Sequence, residues 1–199
     1  VSAAAPSPED QARANFYALL ARLFYAAPDR DLLAALAAAD EIVAQSEDAT
    51  LPLAWRDLTL AAAALDEEAA KREYFAAFVG TGKAEISPYA SAHLRDGAGA
   101  IYLVELRGFL AAHGLARRES VHEPEDHIAA LCDVMRHLIA EQHRARFELQ
   151  REFFARFVWP ASQGFCDATI AAERTAFYKS VARLAKSLFE LEHAAFDMH

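Results

Sequence analysis

The chain has 199 residues, of which 54% are hydrophobic and 25% charged, and its formal net charge is −9. This composition excludes a disordered chain and supplies an ample core. The acidic balance excludes a general binder of nucleic acid, whose phosphates it would repel, and suits a basic peptide partner or plain solubility.

The length favours one domain over residues 1–199. Seven Gly and seven Pro are few for this length and, with abundant alanine, favour long helices. Cys132 and Cys166 are far apart and form no CxxC pair, as expected in a reducing compartment. The stretch from Val1 to Pro6 has neither the basic region nor the apolar core of a secretory signal. The most apolar run, Leu58 to Leu65, is far short of the ~20 residues a membrane span needs. A cytoplasmic protein without membrane insertion is expected.

Ser7-Pro8-Glu9-Asp10 is a helix start, with a capping serine, a proline at the first helical position and acids behind it. Phe16, Leu19, Leu20, Leu23 and Phe24 recur at helical spacing until Pro28. Further helices are predicted over 31–44, with Leu32, Leu33, Leu36 and Val43 as apolar contacts, over 51–65 and over 67–79. Gly80 then breaks the pattern, and an irregular segment runs to about Gly97. Residues 98–113 are helical, with Gly114 at the C-terminal cap, and a loop over 115–123 leads to Pro124.

From Pro124 the stripe Ile128, Leu131, Cys132, Met135, Leu138, Ile139 predicts a helix with Pro124 at its first position and Glu125 and Asp126 near the positive end of its dipole. Helix continues over 147–158, Trp159-Pro160 is a predicted junction, and a shorter helix covers 161–172. The last helix carries Phe177, Val181, Leu184, Leu188 and Leu191, a seam best buried in a bundle. No internal repeat and no alternating strand pattern is evident. The fold class is all-α, a bundle of about eight to ten helices, with a hinge expected near 114–124 through which halves could exchange between chains.

Gly80-Thr81-Gly82-Lys83 lacks the first glycine and the final Ser/Thr of a phosphate loop and reads as a helix stop. Glu119/His122 and Glu190/His193 have Glu-x-x-His spacing, but no further inward glutamates complete a di-metal set, so no metal is expected. His122, Glu123, Asp126 and His127 form the densest polar cluster. They could ligate a metal or run acid–base chemistry, which would make the protein a small helical metal-dependent enzyme. The acids also have a sufficient structural reason at a helix start, and His127 could bond a backbone group. Ser87-Pro88-Tyr89-Ala90-Ser91 ends the first long loop, where Ser91 could cap a turn and Tyr89 could anchor the lip of a groove that takes a peptide. The arginines at 136, 144, 146, 151 and 156 are interleaved with glutamates and read as a solvated face.

Three segments together resemble the TorD/DmsD family: Arg72-Glu73-Tyr74-Phe75-Ala76-Ala77-Phe78-Val79-Gly80, Ser87-Pro88-Tyr89-Ala90-Ser91, and Glu123-Pro124-Glu125-Asp126-His127-Ile128. The resemblance implies an all-α cytoplasmic chaperone rather than an enzyme. It implies partners in the catalytic subunit of a molybdopterin oxidoreductase and its twin-arginine signal peptide. The chaperone would hold no cofactor of its own, the molybdopterin belonging to the client. Export would be delayed until that cofactor is inserted. Carried over by motif, the peptide-binding positions are Pro88, Tyr89, Ser91, Glu123, Pro124, Asp126 and His127. His93 joins them because it stands where many relatives carry an aromatic. Tyr74 and Phe78 fall to groove floor or core. The resemblance implies that swapped dimers can form, and the hinge near 114–124 predicts a mainly monomeric chain with a domain-swapped dimer as its minor form.

Overall fold

The structure is a computed structural model that describes residues 7–43, 49–81, 84–94, 98–116, 123–141 and 144–198. These contain the helices α1 (Pro8–Tyr25), α2 (Arg30–Ala37), α3 (Thr50–Ala63), α4 (Glu67–Tyr74), α5 (Gly99–Ala112), α6 (Ile128–Ala140), α7 (Arg144–Phe153), α8 (Trp159–Ala171) and α9 (Phe177–Asp197). π-Helical turns extend α4 over Phe75–Val79 and α7 over Phe154–Val158, and a 3-10 turn covers Ala90–His93. The described residues contain no strand, and the all-α class is as the sequence predicts. No helix among them is long and apolar enough to cross a membrane.

The helix ends follow local chemistry. Ser7 Oγ accepts from the Asp10 amide at 3.0 Å and donates to its carboxylate at 2.9 Å. Asp29 and Asp66 cap α2 and α4 by accepting from Leu32 N and Ala69 N. Gly114, at φ 67°, closes α5 as predicted: its amide bonds Ala111 O, and the Leu115 amide bonds Leu110 O. This is the paired arrangement a left-handed residue permits. α9 has no capping side chain of its own. Glu73 on α4 caps it instead, accepting from the amides of Ala176 (2.9 Å) and Tyr178 (2.7 Å).

Several expectations are corrected. α2 stops at Ala37, and Val43 is 82% exposed rather than an apolar contact. The junction expected at Trp159-Pro160 falls where the π-helical turn ends at Val158 and α8 begins at Trp159, with no loop between, so the proline sits in a first turn where its missing N–H is harmless. Leu191 is exposed, and the buried position beside it is Glu192. α6 begins at Ile128 rather than Pro124.

Contacts group into two compact units. Unit 1 combines the N-terminal part of the chain through Ala21 with Pro88–Ser162, and unit 2 combines Arg22–Ser87 with the chain from Gln163. The flanks of segment 114–124 both lie in unit 1; residues 117–122 are outside the described residues. In unit 1, Phe109 packs against Phe153 and Phe157 with centroids 5.5 and 5.3 Å apart. The Tyr102 hydroxyl donates to Phe157 O at 2.6 Å. In unit 2, α9 packs on α3 and α4. Phe24 meets Phe165 and Phe78 meets Tyr178, each pair edge-on at 5.0 Å.

The structure reveals a short repeat that the sequence reading missed. Arg72–Gly80 and Arg151–Trp159 agree at Arg72/Arg151, Glu73/Glu152, Phe75/Phe154, Ala76/Ala155, Phe78/Phe157 and Val79/Val158. Both segments are the end of an α-helix running into a π-helical turn. Their surroundings differ. Phe75 and Val79 are 47% and 48% exposed, whereas Phe154 and Val158 are 1% and 3% exposed. Trp159 stacks on Phe154, while its counterpart Gly80, at φ 66°, ends the helix and offers no side chain.

Candidate functional site: a seam between two loops

The two short motifs singled out in the sequence meet in unit 1, although more than thirty residues part them in the chain. They form an isolated antiparallel bridge between Tyr89 and His127. Ala90 N donates to Asp126 O at 2.8 Å and Ile128 N donates to Pro88 O at 2.9 Å. Side chains repeat the stitching. The Tyr89 hydroxyl donates to Glu123 Oε2 at 2.6 Å. Ser91 donates to Asp126 Oδ2 twice, from its hydroxyl at 2.5 Å and its amide at 3.3 Å. The Tyr89 ring stands edge-on to the His127 ring at 5.6 Å. Charge-assisted bonds of this kind are the stronger ones, and together they fix both loops.

This geometry revises the roles expected from sequence. Asp126 is not a first-turn helix acid. It is 2% exposed and holds the 3-10 turn of the other loop. His127 is the N-cap of α6: its Nδ1 accepts from Ala129 N at 3.1 Å, so the ring proton sits on Nε2. Burial pushes its pKa below the ordinary imidazole value, against the opposing pull of the Glu123 and Asp126 carboxylates. Pro124 is no helix start either. Its carbonyl accepts from His127 N at 3.1 Å, closing the turn that carries Glu125 and Asp126.

Glu125 lies outside that hydrogen-bonded core and pairs with Arg107 of α5 at 2.9 Å. Arg107 was not singled out in the sequence, where it reads as one more exposed helical charge. Ser91 is in the 3-10 turn rather than capping it, and Pro88, Tyr89, Ser91, His93, Glu123 and Pro124 are all half-buried, accessible from solvent. Tyr74 and Phe78 belong to unit 2, with Phe78 in its aromatic cluster and the Tyr74 hydroxyl donating to Tyr25 O at 2.7 Å. Phe78 is core there, and Tyr74 is half-buried beside it.

The metal-enzyme alternative required His122, Glu123, Asp126 and His127 to converge. His122 lies outside the described residues. Among those described, no group of three His, Cys, Asp or Glu is placed to hold a metal ion. Asp126 accepts from Ser91, and the Nδ1 of His127 holds a backbone amide. Of the Glu190/His193 pair, Glu190 is exposed and His193 approaches Asp197 at 3.5 Å. At the glycine break, Gly80 ends the π-helical turn, and Gly82 and Lys83 are outside the described residues. Cys132 and Cys166 are buried and not joined in a disulfide, and burial pushes the Cys166 thiol far above the ordinary range.

Fold and seam define a class of protein: an all-helical bundle in which two short loops are locked into one half-buried patch of aromatic and acidic side chains. The family model described as nitrate reductase delta subunit matches residues 44–167, a window that contains every seam residue. Chaperone proteins TorD from two strains of Vibrio cholerae serotype O1 are each 26% identical over 119 residues, covering 55% of this chain. The match covers 54% of each TorD chain, so this chain spans about half the length of the curated relatives it matches. The chain belongs to the TorD/DmsD family.

Proposed function

We propose that the protein is a maturation chaperone for a molybdopterin oxidoreductase. It binds the twin-arginine signal peptide and the immature catalytic subunit in the cytoplasm. It thereby assists cofactor insertion and delays export. The observation that carries this reading is the seam: both motif loops are held by backbone and side-chain bonds, so their half-buried aromatic and acidic groups are preorganised before any partner arrives. Tyr89 supplies a rigid ring with few torsions to freeze. Glu123, which accepts from the Tyr89 hydroxyl, and Glu125, which already pairs with the Arg107 guanidinium, are carboxylates of the kind that guanidinium groups recognise. The net charge of −9 favours approach of a basic segment.

The chemistry needed is recognition alone: binding, shielding and release. The test is calorimetry with a synthetic peptide carrying consecutive arginines followed by an apolar run, together with co-purification of a co-expressed catalytic subunit. Micromolar or tighter binding is expected, roughly −8 kcal/mol or better. Tyr89→Ala and Glu123→Gln should each weaken it without loss of helical signal. No heat from any such peptide, and no subunit retained, would refute the reading.

A further inference from the structure

We propose that Gly99, the first residue of α5, is a positioning residue for the seam, required because its missing side chain lets α5 close onto Ser91. The functional consequence rests on the peptide-binding reading above; the geometry does not. A Cβ placed at Gly99 would lie 3.0 Å from Ser91 O, 3.2 Å from Ser91 Cβ and 3.6 Å from Ser91 C. The first two separations are shorter than ordinary van der Waals contact. The nearest atom is a backbone carbonyl in the 3-10 turn Ala90–His93, not the yielding end of a long side chain. The backbone of Gly99 is outside the left-handed region, so space, not conformation, is what calls for glycine.

Ser91 cannot simply retreat. Its amide and hydroxyl are both engaged by the buried carboxylate of Asp126, at 3.3 and 2.5 Å, and the preceding amide, Ala90 N, is held by Asp126 O at 2.8 Å. Ser91 is thus clamped between a helix start without a side chain and a carboxylate anchored just ahead of α6. A methyl group at position 99 must displace it by a few tenths of an ångström. The amide bond, already near the limit of hydrogen-bond length, breaks first. Gly108, one face further along the same helix, is the natural contrast, since nothing lies within 4 Å of its Cβ position.

The two glycines therefore respond oppositely to alanine. Gly→Ala in a helix ordinarily stabilises by restricting the unfolded chain. Gly108→Ala should raise the denaturation midpoint and leave the seam untouched. Gly99→Ala should lower the midpoint and speed amide exchange of Ser91 at least tenfold, while the Leu106 and Leu110 amides stay protected. It should also weaken the arginine-containing peptide as much as Ser91→Ala does, with the double variant no worse than either single one. A raised midpoint with unchanged Ser91 exchange in Gly99→Ala would overturn the proposal. Faster Ser91 exchange with peptide affinity unchanged in Gly99→Ala and Ser91→Ala alike would uphold the positioning of the seam and overturn the peptide reading. Should Gly99→Ala alone fail to fold, the comparison moves to the Gly108→Ala background, whose added stability is expected to restore folding; a Ser91 amide as well protected in Gly99→Ala/Gly108→Ala as in Gly108→Ala would overturn the clamp.

Discussion

Replacing Asp126 with alanine separates two accounts of this residue by magnitude. As a first-turn helix acid, its loss would cost only ~0.3–1 kcal/mol. As observed, its carboxylate is 2% exposed and receives the Ser91 hydroxyl at 2.5 Å and amide at 3.3 Å. A hydrogen bond to a charged acceptor contributes ~1.5–3 kcal/mol, and the longer amide bond counts for less. The substitution also leaves the Ser91 donors short of a partner, though the half-exposed position lets water restore part of that loss. The expected cost is about 2–4 kcal/mol. For a chain of this size that corresponds to a melting shift of roughly 4–16 °C. Urea denaturation of Asp126→Ala, Ser91→Ala and the double variant forms the assay, and the double variant should lose no more than Asp126→Ala alone. A loss under about 1 kcal/mol, or additive losses, would refute the clamp and restore the helix-dipole account.

Other outcomes follow from the same structure. Because the folded-state pKa of His127 lies below the ordinary 6.5, the unfolded chain takes up that proton first. Its stability contribution is therefore complete above pH 6.5 and is lost as pH falls from there toward the lowered folded value; His127→Asn, which keeps an N-cap acceptor, should flatten this slope in urea titrations between pH 8 and pH 5. The repeated π-helical turns should part company on mutation. Phe154→Ala, at 1% exposure, should cost ~3–5 kcal/mol, whereas Phe75→Ala, at 47%, should cost under about 1 kcal/mol by the same measurement.

The sequence made the fold legible because its helices are amphipathic and locally signed. Ser7, Gly114 and the Ile128 stripe each mark their element by near-neighbour chemistry, and these elements stand where expected. Where a start depends on a distant partner, local signals mislead. Pro124-Glu125-Asp126 has the composition of a helix first turn, but the backbone of Pro88–Ala90 competes for it, and α6 begins only after the bridge to Tyr89. The site residues were legible as two motifs, not as one object, because nothing in either segment encodes that Ser91 faces Asp126. Arg107 and Gly99 were missed for different reasons. Arg107 looks like any exposed helical charge, and Gly99 follows a loop-like sequence in which Gly97 already serves as punctuation. The short repeat escaped because its two copies are short and bear different burdens, one buried and one half-exposed.

Glu73 reaches α9 from α4, more than a hundred residues earlier in the chain, and this has a consequence for synthesis. On the ribosome α1 to α4 emerge with the faces that carry Phe24 and Phe78 still bare, because Phe165 of α8 and Tyr178 of α9, which pack against them, are made later. At about 5–20 residues per second, the interval between α4 and α9 lasts several seconds or more. Through that interval the nascent protein itself exposes the kind of apolar surface that chaperones shield, until the amides of Ala176 and Tyr178 find the waiting carboxylate.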